Sequence, residues 1–208
     1  LVAAEKTDWE KLIPDLEHLD ESLEKQFAFA DRVFIERTFY DGSEGLYTRE
    51  LRGISFRLHS NFITVEGLQR LSPYFHCYFA ALRTEFVMAK INKELAEAIK
   101  LLEDDSSTRR AVVHDPDFIW EGQPACLMAA HLMVRRDQSN QVYLDIFLHF
   151  RSCDYYKTFL YDLYVAKKIL EGVANYVGAE PRIIYVYADS FHIYENEVEE
   201  VKSWKKKN

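Results

Sequence analysis

Cysteine is scarce in this chain, and positive charge is in deficit. Its three cysteines, Cys77, Cys126 and Cys153, are odd in number and show no CxxC spacing. That excludes a disulfide framework and a structural zinc site, leaves no bound metal expected, and points to a reducing, cytoplasmic compartment. Lys and Arg total 26 against 34 Asp and Glu, a formal net charge of −8. A nucleic-acid polymer is therefore not an expected partner, because duplex binding needs basic residues in excess. A small anion held by a few arginines remains compatible. No run approaches the roughly 20 apolar residues of a membrane helix. The opening "LVAAEKTDWEKL" also lacks the basic-then-apolar order of a secretory signal, so no membrane partner is expected. Internal repeats are absent, and the only low-complexity stretch is the final "KKKN".

What is present is apolar bulk. Of 208 residues, 48% are hydrophobic and 14% aromatic, enough for one substantial core and too few to demand two domains. One domain over residues 1–208 is expected. From Asp8 to about Tyr40, Trp9, Leu12, Ile13, Leu16, Leu19, Leu23, Phe27 and Phe29 recur at three- and four-residue steps, which predicts a helical N-terminal segment over 1–40. "YDGSEGLY" has the composition of a turn, and "RELRGISFRL" after it that of a strand. Leu95, Ile99 and Leu102 share one face of a surface helix. In "QVYLDIFLHFR", Val142, Leu144, Ile146, Leu148 and Phe150 alternate with Asp145, His149 and Arg151, the period of a strand with one polar side. Asp154 to Tyr176 reads as a helix ended by Gly178, "PRIIYVYADSFHIY" as a strand, and Glu195 to Lys206 as a final charged helix. The class is α+β, a mixed sheet covered by long helices.

Four places carry candidate chemistry. Arg109 and Arg110 stand where a helix gives way to a strand. Alone they read as solvated charges, yet guanidinium groups are also the usual phosphate ligands, with paired donors and a permanent charge. Cys126, in "GQPACLM", heads an apolar strand, the setting of a buried core thiol. To act as a nucleophile it needs a nearby cation that favours the thiolate, and Arg151 on a neighbouring strand could supply that field. "FRSCDYYKTFLYD" joins Arg151, Ser152 and Asp154 to a second aspartate, Asp162, through an aromatic run. His192 and Tyr194, two apart on a strand, face one side and can each hydrogen-bond a sugar hydroxyl or simply close a strand end.

In order, the pattern is "RR", "PAC", "RSCD" and "HIY" over roughly Ile91 to Val201. It resembles the thymidylate synthase family, with 91–201 as the matching catalytic core. The resemblance implies that family's fold and a homodimer through the sheet, with the double arginine shared across the interface. Cys126 would attack C6 of a pyrimidine ring, and Arg151 and Ser152 would hold the nucleotide phosphate, with Arg109 and Arg110 reaching the other subunit's phosphate. Asp154 would lie near the base, and His192 and Tyr194 would bind the sugar. The one-carbon donor would be 5,10-methylenetetrahydrofolate. Arg49 is the nearest counterpart of the family's N-terminal phosphate arginine, and Glu66 and Glu85 are candidates for its catalytic glutamate.

One position separates branches. Thymidylate synthases carry an asparagine eleven residues after the strand-end arginine, and that position here is Asp162. An ionised carboxylate only accepts hydrogen bonds; it opposes O4 of uracil and suits the 4-amino group of cytosine. The resemblance therefore points to the (deoxy)cytidylate 5-hydroxymethylases, which finish with water rather than hydride and act on CMP or dCMP. A C5-methyltransferase of dUMP or dCMP and a non-catalytic pyrimidine-nucleotide-binding homologue are the alternatives.

Overall fold

The computed structural model describes residues 14–39, 42–114, 119–120, 123–124 and 126–207. In chain order the elements are α1 (Leu16–Phe27), β1 (Asp31–Phe39), β2 (Gly42–His59), α2 (Val65–Leu71), α3 (Cys77–Asp104), β3 (Val112–Val113), β4 (Ile119–Trp120) and β5 (Gln123–Pro124). Then follow β6 (Leu127–Arg136), β7 (Val142–Phe150), β8 (Cys153–Asp154), a wide π turn (Tyr155–Phe159), α4 (Leu160–Val177), β9 (Glu180–Tyr194) and α5 (Glu195–Lys205). The seven-stranded sheet runs β1-β2-β9-β7-β6-β3, with β8 beside β9, and β4 and β5 form a separate pair. Among the described residues, only β9 with β7 and β9 with β8 pair in parallel. Parallel neighbours need a crossover, and the π turn with α4 supplies it. The mixed α+β class is as expected.

The N-terminal expectation needs correction. Helix spacing holds for α1, which buries Leu16, Leu19, Leu23 and Phe27, but residues 31–39 form a strand. "DRVFIERTF" is rich in β-branched and aromatic residues, which fit a pleated surface better than a helix. Phe29, counted on the helical face, is 92% exposed beyond the helix end. Trp9, Leu12 and Ile13 lie outside the described residues. The "YDGSEGLY" turn is also largely strand, because Gly42 already pairs with Phe39 and β2 continues through Tyr47.

The crossover explains the aromatic run. Tyr155, Phe159, Phe150 and Phe191 are all fully buried. Phe159 meets Phe191 at 5.0 Å and Phe150 at 6.2 Å, while Tyr155 lies 5.4 Å from Phe191. Each such ring contributes about 1.5–3 kcal/mol by leaving water. α4 then buries Leu160, Leu163, Ala166, Leu170 and Val173 against the sheet and ends at Gly178, whose φ of 66° is the left-handed cap that glycine adopts without strain. In β7 the apolar face is as read, but the facing Asp145 is not solvated. It is buried against Arg182 of β9, which gives it two hydrogen bonds of 3.0 and 2.8 Å, and Ile183 N–H adds a third at 3.1 Å.

Candidate active site

The antiparallel pairing of β6 with β7 sets Leu127 against Phe150. One step further, the Arg151 N–H donates to the Cys126 carbonyl at 3.0 Å. The head of β6 and the carboxyl end of β7 are thus joined, with Cys126 half-buried, Arg151 exposed and Ser152 half-buried beside it. β8 follows at once, and its Asp154 pairs in register with His192 of β9. The Asp154 carboxylate accepts the Lys157 N–H at 3.2 Å and so starts the π turn. His192 meets Tyr194 edge-on at 5.4 Å, on the same side as their spacing requires. Cys126, Arg151, Ser152, Asp154, His192 and Tyr194 therefore gather at one end of the sheet.

Asp162 joins them from the first turn of α4. It is not a solvated helix residue: its side chain is 11% exposed. Its charge is close enough to bear on both Cys126 and Cys153. The partner that sequence reasoning missed is Arg83 of α3, whose Nη2 donates to Asp162 Oδ1 at 2.5 Å. The only local signal was a lone guanidinium in the apolar "FAALRTEF". What places it is the clamp between α3 and α4: His76 N–H donates to the Tyr161 hydroxyl at 3.0 Å, and that hydroxyl donates to the Tyr74 carbonyl at 2.6 Å. Phe75 packs on Tyr161 at 5.0 Å. Asp162 Oδ2 and Arg83 Nε are both buried with no hydrogen-bond partner among the described residues.

Electrostatics divide the site. Burial pushes the Cys126 thiol up and the neighbouring Asp162 adds to this, while Arg151 and Arg83 oppose them. The field expected from Arg151 is present but does not prevail over burial. Burial also raises Asp162, against the charge and hydrogen bond of Arg83. Cys153 is fully buried, and burial keeps its thiol protonated well above the usual range.

Other residues stay apart. Arg109 and Arg110 are exposed ahead of the edge strand β3. Val112 of that strand pairs with His131, about 17 Å along β6 from Cys126 at ~3.3 Å per residue. Neither arginine makes an ion pair among the described residues. Arg49 holds Glu195 at 2.8 Å. Glu66 and Glu85 are both exposed on helices.

A model of the family described as thymidylate synthase matches residues 57–208 of the chain. Among curated proteins, none matches.

Proposed function

The chain belongs to the thymidylate synthase family, and on that premise we propose that it transfers a one-carbon unit to C5 of CMP or dCMP. The family's chemistry is a folate-dependent one-carbon transfer to a pyrimidine nucleotide. The cytosine reading rests on one observation, the buried Asp162 carboxylate beside Cys126. Such a group can receive the hydrogen of a 4-amino substituent and has nothing to offer a 4-carbonyl.

In this reading Cys126 Sγ bonds to C6, the C5–C6 double bond opens, and C5 becomes a carbon nucleophile. The thiol must first lose its proton; Arg151 and Arg83 favour the thiolate, and a phosphate settled on Arg151 and Ser152 would bring the ring to it. Asp154 lies against the base, and His192 and Tyr194 hold the sugar hydroxyl. Methylenetetrahydrofolate, when bound, supplies the one-carbon unit at the oxidation level of formaldehyde. In this reading the donor would lie against the exposed Tyr78, Phe79, Leu82 and Phe86 of α3, the helix that carries Arg83. The C5 proton leaves to solvent, water adds to the transferred carbon, and Cys126 Sγ departs from C6 to restore the C5–C6 double bond, which gives a 5-hydroxymethyl product.

The homodimer belongs to the same proposal. Arg109 and Arg110 are exposed and stand away from Cys126, with no ion pair among the described residues, as residues serving a neighbouring subunit would. The sheet face turned from the helices carries a shallow groove of about 390 Å³, lined in part by Arg57, Phe147, Tyr185 and Tyr187. Phe147 and Tyr185 stack there at 4.3 Å, an apolar surface for a twofold partner.

Release of tritium from C5-labelled CMP, dCMP and dUMP, with and without methylenetetrahydrofolate, tests the reading. Release from a cytosine nucleotide above that from dUMP supports it. Preferred release from dUMP would favour the methyltransferase alternative, and no release from any of the three would leave a nucleotide-binding homologue.

A further inference from the structure

Asp162 has a carboxylate oxygen bound to Arg83 and another that is buried without a partner among the described residues, and Arg83 keeps a buried Nε in the same state. Burying an unsatisfied charged oxygen is costly, so the arrangement is that of a group waiting for a donor. Arg83 comes from α3, 79 residues before Asp162 in the chain. The Tyr161 hydroxyl bridging His76 and Tyr74 holds the two helix starts in a fixed relation. The guanidinium therefore meets the carboxylate on a rigid frame.

We propose that Arg83 is a specificity-setting positioning residue: by holding one oxygen of Asp162 it keeps the carboxylate ionised and acceptor-only, leaving the other oxygen for the 4-amino group of a cytosine ring. The inference rests on Asp162 reading the base, as proposed above. Its physical core is a competition. Burial favours a protonated Asp162, and a protonated carboxyl has an O–H to give to O4 of uracil. Arg83 opposes that through its charge and its hydrogen bond. Without it, the low-dielectric site would neutralise the acid and erase the distinction between the two rings. Among the described residues, the other titratable groups facing Asp162 are the thiols of Cys126, just ahead of β6, and Cys153 on β8, while Arg151 and Asp154 bear on Cys126 beside it. A guanidinium suits this task better than an ammonium that burial can discharge.

The test compares C5 tritium release and calorimetric binding of dCMP and dUMP for the natural protein, Arg83→Gln, Arg83→Lys and Asp162→Asn across pH. Arg83→Gln should lower the dCMP preference about tenfold or more near pH 7, with recovery as pH rises and the unpaired Asp162 ionises. Arg83→Lys, which keeps a cation, should retain most of the preference. An Arg83→Gln protein with the natural preference at every pH would overturn the proposal while Asp162→Asn still abolished that preference. An unchanged preference in Asp162→Asn would instead remove the base-reading role of Asp162 and this inference with it. Should Arg83→Gln fail to fold, infrared difference spectra of the natural protein against Asp162→Asn decide. An ionised Asp162 at pH 7 is the expected result, and a protonated carboxyl band there overturns the proposal.

Discussion

Among the described residues, two arginine–aspartate pairs lie away from solvent, and they are built differently. Arg182 meets Asp145 across β9 and β7 with both carboxylate oxygens engaged, and Ile183 N–H adds a further bond. Arg83 meets Asp162 across α3 and α4 through one oxygen, leaving a buried acceptor and a buried donor open. The first pair has little hydrogen-bonding capacity left over and joins strands. The second leaves capacity that no described residue fills, and it lies beside Cys126. A buried ion pair is by itself weak evidence of purpose; the unfilled valence is what distinguishes a site from a brace.

The largest effect that would break this contrast concerns the site's chemistry. Cys126→Ala should reduce C5 tritium release by about 10⁴-fold or more, as loss of a covalent nucleophile does, with the folded state intact by circular dichroism. Retained release would strip the region around Asp162 of its catalytic reading. Next comes the brace. Asp145→Asn should destabilise the protein by about 3–5 kcal/mol in urea unfolding, because it leaves Arg182 buried without its charge partner. Asp162→Asn should cost clearly less, since burial already disfavours its charge. The sign with pH follows. The folded state raises the Asp162 carboxyl, so it holds that proton more tightly than the unfolded chain. Stability from this group is present at low pH and lost as pH rises through the raised value. The deficit of Asp162→Asn should therefore shrink with pH, and equal costs at the two aspartates would erase the comparison.

A third measurement sharpens it on the side of specificity. Asp162→Asn should move the ratio of cytosine to uracil nucleotide turnover by roughly tenfold to a hundredfold towards uracil. The smallest effect is on the thiol. Asp162 raises Cys126, so Asp162→Asn should lower it and enlarge the thiolate fraction below its midpoint. Iodoacetamide labelling of the Cys126 peptide at pH 8 should then quicken about two- to tenfold, a full unit of pKa being worth tenfold. Peptide mass spectrometry separates this from the exposed Cys77, and labelling that slowed would mean that the charge of Asp162 does not reach the sulfur.

Much of the frame was legible from local pattern. The alternation in 142–150 marked β7, the left-handed glycine after Val177 ended α4, and "HIY" placed two rings on one side of β9. The gathering of Cys126, Arg151, Ser152 and Asp154 followed from strand ends that pair in register. The failures share a cause. Residues 31–39 continue the apolar content of α1, and a count of apolar positions misses that β-branched and aromatic side chains favour a strand paired with β2. Asp145 sits on the polar alternation of β7, and nothing nearby in the chain reveals that Arg182, 37 residues on, will bury it. Nothing local to "FAALRTEF" marks Arg83 as the partner of Asp162, because the two meet only where α3 packs on α4.

By itself, then, the sequence determined the elements with strong local period, the thiol at the head of β6 and the aspartate eleven residues after Arg151, since spacing and side-chain chemistry are properties of the chain. The tertiary structure decided which charges would be neutralised and which left open. That depends on where helices and strands distant in sequence cross, and burial there changes the cost of every unpaired polar atom by amounts no local pattern carries.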